Sequence, residues 1–168
     1  MKRILTILSV FVLLLMSCEG PQGLDGFDGQ DGQDGAIITS SAFEIAIDFN
    51  EANNYEFIEP FGFEVLPTDV TLVYILWETL DNGQDIWRLT PQTVQFTDGT
   101  LVYNYDFSQT DVRFFLEGTT DFGFLDTSFT QNQVFRVVVV PADNVGKTDT
   151  TSLDAVMALY GIKEFTIR

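Results

Sequence analysis

From residue 37 onward, apolar and polar positions along the chain follow the period of a β-strand. Phe43, Ile45, Ile47 and Phe49 alternate with Glu44, Ala46 and Asp48, and period two with one apolar face predicts a half-buried strand. Glu51-Ala52-Asn53-Asn54 reads as a turn. Tyr55 to Phe63 is extended, and Pro60 assigns it to a sheet edge because proline cannot donate to a ladder. Val70 to Leu80 is the most apolar run of the body. Its apolar residues occupy both parities, which predicts a central strand covered on both sides.

Asp81-Asn82-Gly83-Gln84 follows. Asn-Gly between apolar runs predicts a type I′ hairpin, whose two central residues both need positive φ. With Asn82-Gly83 at the tip, Leu80 would pair with Asp85, Glu78 with Trp87 and Trp77 with Arg88. The last pair would then share a face at cation–π distance. Asp98-Gly99 predicts a second such turn. It joins strands in which Val94, Phe96, Leu101, Tyr103, Tyr105 and Phe107 share one face.

Val112 to Leu116 is a further strand. Residues 117–131 form a polar loop that holds Phe122, Phe124, Leu125 and Phe129. Those four either plug one end of the fold or present a partner surface, the plug being favoured because exposed apolar patches are rare. Val134 to Val140 is a strand apolar at every position but Arg136, stopped by Pro141. One helix is expected: Ser152 can cap it, Leu153, Val156, Met157 and Tyr160 share a face, and Gly161 ends it. Phe165 to Ile167 closes the list of strands. Seven or eight strands, two tight hairpins and one short C-terminal helix predict an all-β body over residues 37–168. That body is a single antiparallel β-sandwich, Ig-like in architecture.

The first 36 residues follow other rules. Lys2-Arg3 precedes an apolar block from Ile4 to Met16, interrupted only by Thr6 and Ser9. A bilayer span needs roughly 20 apolar residues, so the block is too short to cross and fits a signal peptide over residues 1–17. From Gly20 to Gly35 every third residue is glycine, and Asp25, Asp28, Asp31 and Asp34 recur in step. A collagen triple helix demands that period, but Pro21 is the sole imino acid of the run and the aspartates would stack as like charges. The 18–36 segment therefore reads as a flexible, self-repelling linker. A trimeric stub and a calcium-binding run stand as alternatives, and the stalk is not expected to hold three chains together.

Charge narrows the partners. The formal net charge is −17, from 25 acidic and eight basic residues. A chain starting at Cys18 would keep every acid and six of the basic residues, hence −19. Those six are scattered, whereas a phosphate backbone requires clustered Lys and Arg, so nucleic acid is not an expected partner. Histidine is absent and there is one cysteine. No intrachain disulfide or thiolate cluster can form, and the commonest general base is missing. There is also no Gly-x-Gly-x-x-Gly after a strand and no redox cysteine pair, so no cofactor is expected.

Candidate chemistry is sparse. Trp77, Trp87 and Arg88 are the candidate ligand-binding residues, and with Tyr74, Tyr103 and Tyr105 the tryptophans could form a platform for sugar rings, although strand aromatics are mostly core. Loop acids such as Asp69, Asp81 and Asp85, or Asp121 and Asp126, could hold calcium but more often are solvated charge, and no metal site is assigned. Paired carboxylates could run glycosidic hydrolysis, yet nothing in the sequence singles out a pair, and no catalytic residue is assigned.

Leu15-Met16-Ser17-Cys18 resembles the bacterial lipoprotein box. The resemblance implies lipid on the Cys18 thiol, cleavage before Cys18, and attachment to a membrane of the cell envelope, the outer membrane in particular. Cys18-Glu19-Gly20-Pro21-Gln22-Gly23, with Gln133-Val134-Phe135-Arg136-Val137 and Val140-Pro141-Ala142, is similar to a group of small exported lipoproteins of flavobacteria and their relatives. Those proteins carry a short collagen-like run ahead of a β-rich domain. The group implies a binding or structural module, not an enzyme. It implies an envelope protein or a glycan as partner and assigns no ligand.

Overall fold

The computed structural model describes residues 41–141, 146 and 148–168. The signal peptide expected over 1–17, Cys18, and the linker of 18–36 lie outside the described residues. Nine strands and one α-helix are present among those described: β1 (Ser41–Ile47), β2 (Glu56–Pro60), β3 (Asp69–Thr79), β4 (Asp85–Leu89), β5 (Gln92–Gln95), β6 (Thr100–Phe107), β7 (Asp111–Gly118), β8 (Gln133–Pro141), α1 (Leu153–Tyr160) and β9 (Thr166–Ile167). They form two sheets, ordered β4-β3-β8-β1-β9 and β2-β7-β6-β5. The fold is a β-sandwich with one short C-terminal helix.

Both sheets turn an apolar face inward. Phe43, Ile45 and Ile47 of β1, Val73 and Ile75 of β3, and Phe135, Val137 and Val139 of β8 meet Leu101, Tyr103, Val112, Phe114 and Leu116 of the second sheet. Each such large side chain, fully buried, contributes about 1.5–3 kcal/mol relative to exposure. A second apolar layer lies outside the first sheet. Leu72 and Tyr74 of β3 and Val138 and Val140 of β8 pack there under Leu153 and Val156 of α1. This is why β3 and β8 carry apolar residues at both parities. The helix ends as its sequence specifies. The Ser152 side chain accepts from the Ala155 N–H, and left-handed Gly161 (φ +65°) returns its N–H to Met157.

Pro60 closes β2, which is an edge strand. The sheets are not wholly antiparallel, because β9 runs parallel to β1 through Phe43–Thr166 and Glu44–Ile167. β1 lies beside β8 and opposes it. The chain reverses through α1 before β9, so β9 arrives in the same direction as β1.

Both hairpin tips keep their positions and change their type. At the first, the Gly83 N–H donates to Leu80 O and the Leu80 N–H to Gln84 O, both at 2.8 Å. The tip is thus the three residues Asp81–Gly83, with positive φ at Gly83 (+82°) and not at Asn82. One left-handed glycine satisfies this turn, whereas type I′ would need two such residues. The extra residue shifts the pairing. Thr79 pairs with Asp85 and Glu78 with Ile86; a bulge at Trp77 then leaves Leu76 opposite Trp87 and Ile75 opposite Arg88. At the second tip the Phe96 N–H donates to Gly99 O, and Asp98 again lacks positive φ. A Cβ on Gly99 would fall 2.6 Å from the Thr120 nitrogen, so close backbone approach, not a primed turn, selects glycine there.

Candidate functional site

At one end of the sandwich β3 faces β5 and β6 across a cleft of about 220 Å³. Ile75 and Trp77 form one wall and Val94 and Tyr103 the other, while Phe129 and Gln133 close it from below. The cleft follows from local structure. The bulge places Trp77 against the inter-sheet core. Phe129 is carried by a short 3₁₀ turn, Thr127–Phe129, which Asp126 caps by accepting from the Ser128 N–H. The Phe129 ring meets Phe96 edge-on at 5.1 Å, and its carbonyl accepts from the Tyr103 hydroxyl at 2.7 Å.

Arg88 stands over Trp77, its guanidinium carbon 4.1 Å from the ring centre. The expected cation–π pair is therefore present. It arises diagonally, because Arg88 is opposite Ile75 and the bulge brings Trp77 across. Trp87 does not join them. It points to the helix-covered side of the sheet, where the Arg136 guanidinium lies 4.0 Å over its ring and 4.5 Å from Phe165. Arg136 is held in turn by Glu44 at 2.9 Å. Arg136 is the lone charge in the apolar run from Val134 to Val140, which was the available sign of its role.

The proposed aromatic platform does not assemble. Tyr74 is fully buried and Tyr103 nearly so. The Tyr74 hydroxyl donates to Thr150 O and the Tyr105 hydroxyl to Thr71 O. Burial pushes all three phenols above their ordinary value. Each tryptophan has a guanidinium over its ring.

The loop between β7 and β8 divides its apolar residues. Phe122, Leu125 and Phe129 pack on the core as a plug, whereas Phe124 is 89% exposed. Its acids serve locally: Asp121 caps Gly123 as Asp126 caps Ser128. The Asp69 carboxylate accepts from the Leu66 N–H, and that of Asp85 from the Thr79 hydroxyl. Among the described residues, no three of His, Cys, Asp and Glu converge as a metal site would require. Hydrogen bonds hold Asp106, Asp126 and Asp149 below the usual carboxylate range. Arg113 is the donor for Asp106, Ser128 for Asp126 and Thr151 for Asp149.

The cleft residues Val94, Phe129 and Gln133 were not among the candidates read from sequence. Only Phe129 gave a sign, as an apolar residue in a polar loop. Comparison with known proteins returns no matching family model, no matching curated protein and no matching solved structure.

Proposed function

We propose that the chain is a lipid-anchored protein of the cell envelope, held at the outer membrane by acyl chains on Cys18, with the sandwich acting as a binding or structural module. The observation that carries this reading is Leu15-Met16-Ser17-Cys18 placed at the end of a short apolar block. Charge supports it. A body this acidic is repelled by anionic lipid, so attachment calls for a lipid of its own. No described helix is long and apolar enough to cross a membrane. Two or three acyl chains, at about 0.8 kcal/mol per buried methylene, anchor stably where one does not.

A non-catalytic role is favoured over carboxylate-dependent hydrolysis. A general acid needs a raised pKa, while the displaced carboxylates described above are all displaced downward. The partner is an envelope protein or a small ligand. The covered tryptophan faces disfavour an extended glycan. Fractionation tests the anchor: Cys18→Ser should move the protein from the membrane to the soluble fraction, and a variant that still sediments with membranes would overturn the reading.

A further inference from the structure

We propose that a second cavity, between the Glu51–Asn53 turn and the loop after β7, is a binding site for a small organic ammonium ion. The carboxylates of Glu51 and Asp121 and the rings of Tyr55 and Phe122, all of which line it, would recognise the cation. The inference rests on reading the sandwich as a binding module and is independent of the lipid anchor.

Three observations carry it. The first is room. The cavity measures about 440 Å³, within the roughly 300–1,000 Å³ of small-molecule sites. The second is the lining, which is mixed: two aromatic rings, two carboxylates, the Thr120 hydroxyl and Gly123. The Tyr55 and Phe122 rings meet edge-on at 5.2 Å and both pack on the inter-sheet core, so the aromatic wall is fixed. The Tyr55 N–H donates to the Asn53 side chain and its carbonyl accepts from the Leu116 N–H. On the opposite wall Asp121 accepts from the Gly123 N–H at 3.0 Å, and the Thr120 hydroxyl donates to Asp98.

The third is charge without a counter-charge. No Lys or Arg lines the cavity. The described ion pairs engage Glu44, Glu56, Glu59 and Asp106, which leaves Glu51 and Asp121 with no cationic partner among the described residues. A neutral ligand would not supply one. A calcium ion takes six to eight oxygens, and among the described residues no three of His, Cys, Asp and Glu converge. An organic ammonium suits both kinds of wall. Its N–H groups form charge-assisted hydrogen bonds to carboxylates, and the negative face of an aromatic ring attracts a cation within about 6 Å.

The test uses the full chain with Cys18→Ser, so that no acyl chain enters the cavity. Benzylammonium and its uncharged counterpart benzyl alcohol are titrated at neutral pH while the amide NMR signals of Thr120 and Gly123 are followed. Benzylammonium should bind saturably and about ten-fold more tightly than benzyl alcohol, as one charge-assisted contact requires. Glu51→Gln with Asp121→Asn, which keeps the side-chain acceptor for Gly123, should remove that advantage and leave benzyl alcohol unchanged. Glu78→Gln with Asp81→Asn removes the same charge at exposed positions outside the cavity and should change neither probe. If both probes bind equally, or both double variants weaken benzylammonium alike, general attraction to an acidic chain accounts for the binding and the site is overturned. If neither probe shifts these signals, the cavity is no ligand site. The fractionation result for Cys18 stands apart from every one of these outcomes.

Discussion

The Arg168 guanidinium lies 4.0 Å from the centre of the Phe43 ring, on β1 of the first sheet. It reaches at the same time to the end of β2 in the second sheet, donating to the carbonyls of Pro60 and Phe61 and pairing with Glu59 at 3.1 Å. One side chain thus clasps the open edges of both sheets. It is less than one-quarter exposed, so these contacts are only partly screened by water. Arg168→Ala should lower the unfolding free energy by about 2 kcal/mol. Arg168→Lys should recover less than half of that, since an ammonium cannot bridge two carbonyls and a carboxylate in one plane. Urea unfolding measures both. A loss equal to that of an exposed surface arginine would show that the clasp is weak.

Gly118 and Gly83 separate two reasons for a glycine. Gly118 pairs with Leu101 at φ +144°, and an added Cβ would fall 1.9 Å from Thr100 O. Gly83 has φ +82° with nothing within 4 Å of an added Cβ. Gly83→Ala should cost about 1–2 kcal/mol, the penalty of a left-handed backbone. Gly118→Ala should cost more than about 3 kcal/mol, because two strands must separate as well. Equal unfolding midpoints for the two variants would contradict the steric account.

Thr71 is fully buried near the start of β3, and its hydroxyl has no hydrogen-bond partner among the described residues. Removing an unsatisfied buried hydroxyl without changing shape removes its desolvation penalty. Thr71→Val should therefore raise stability by about 1 kcal/mol in thermal or urea unfolding, whereas a loss of that size would mean that the hydroxyl is bonded in solution.

The core tyrosines set the alkaline limit. Burial raises Tyr74, Tyr103 and Tyr105 above the ordinary value of 10.0. Raised groups favour the folded state while protonated. Their contribution is complete below pH 10 and is lost as pH climbs toward their folded values, because the unfolded chain releases those protons first. Unfolding above pH 10 should be cooperative. Three of the chain's five tyrosines should gain tyrosinate absorbance only with loss of the fold. If all five titrated near pH 10 with the sandwich intact, the burial argument would fail.

Elements governed by neighbours in sequence were legible before the structure. Ser152 and Gly161 bound α1 through hydrogen bonds that reach only three or four residues. The alternation from Phe43 to Phe49 faces the core as its period demands. The mixed parity of β3 and β8 matches strands covered on both sides. The bulge at Trp77 was not legible. It depends on how a three-residue tip and the packing of the indole on the second sheet are accommodated together, and Asn-Gly by itself favours the shorter turn.

The sequence by itself determined the strand positions, the helix and its caps, the acidic charge and the box ending at Cys18, because each rests on local periodicity, composition or a contiguous motif. The hairpin signal also placed Arg88 beside Trp77, although through a different register. Only the tertiary structure decided which rings the other two arginines meet: Arg136 on Trp87 and Arg168 on Phe43 join residues 49 and 125 positions apart. Sheet order and register bring them together, and both are set by burial of two apolar faces at once. The cleft has the same origin, since its walls come from four strands and a loop that meet only when the sheets close on each other.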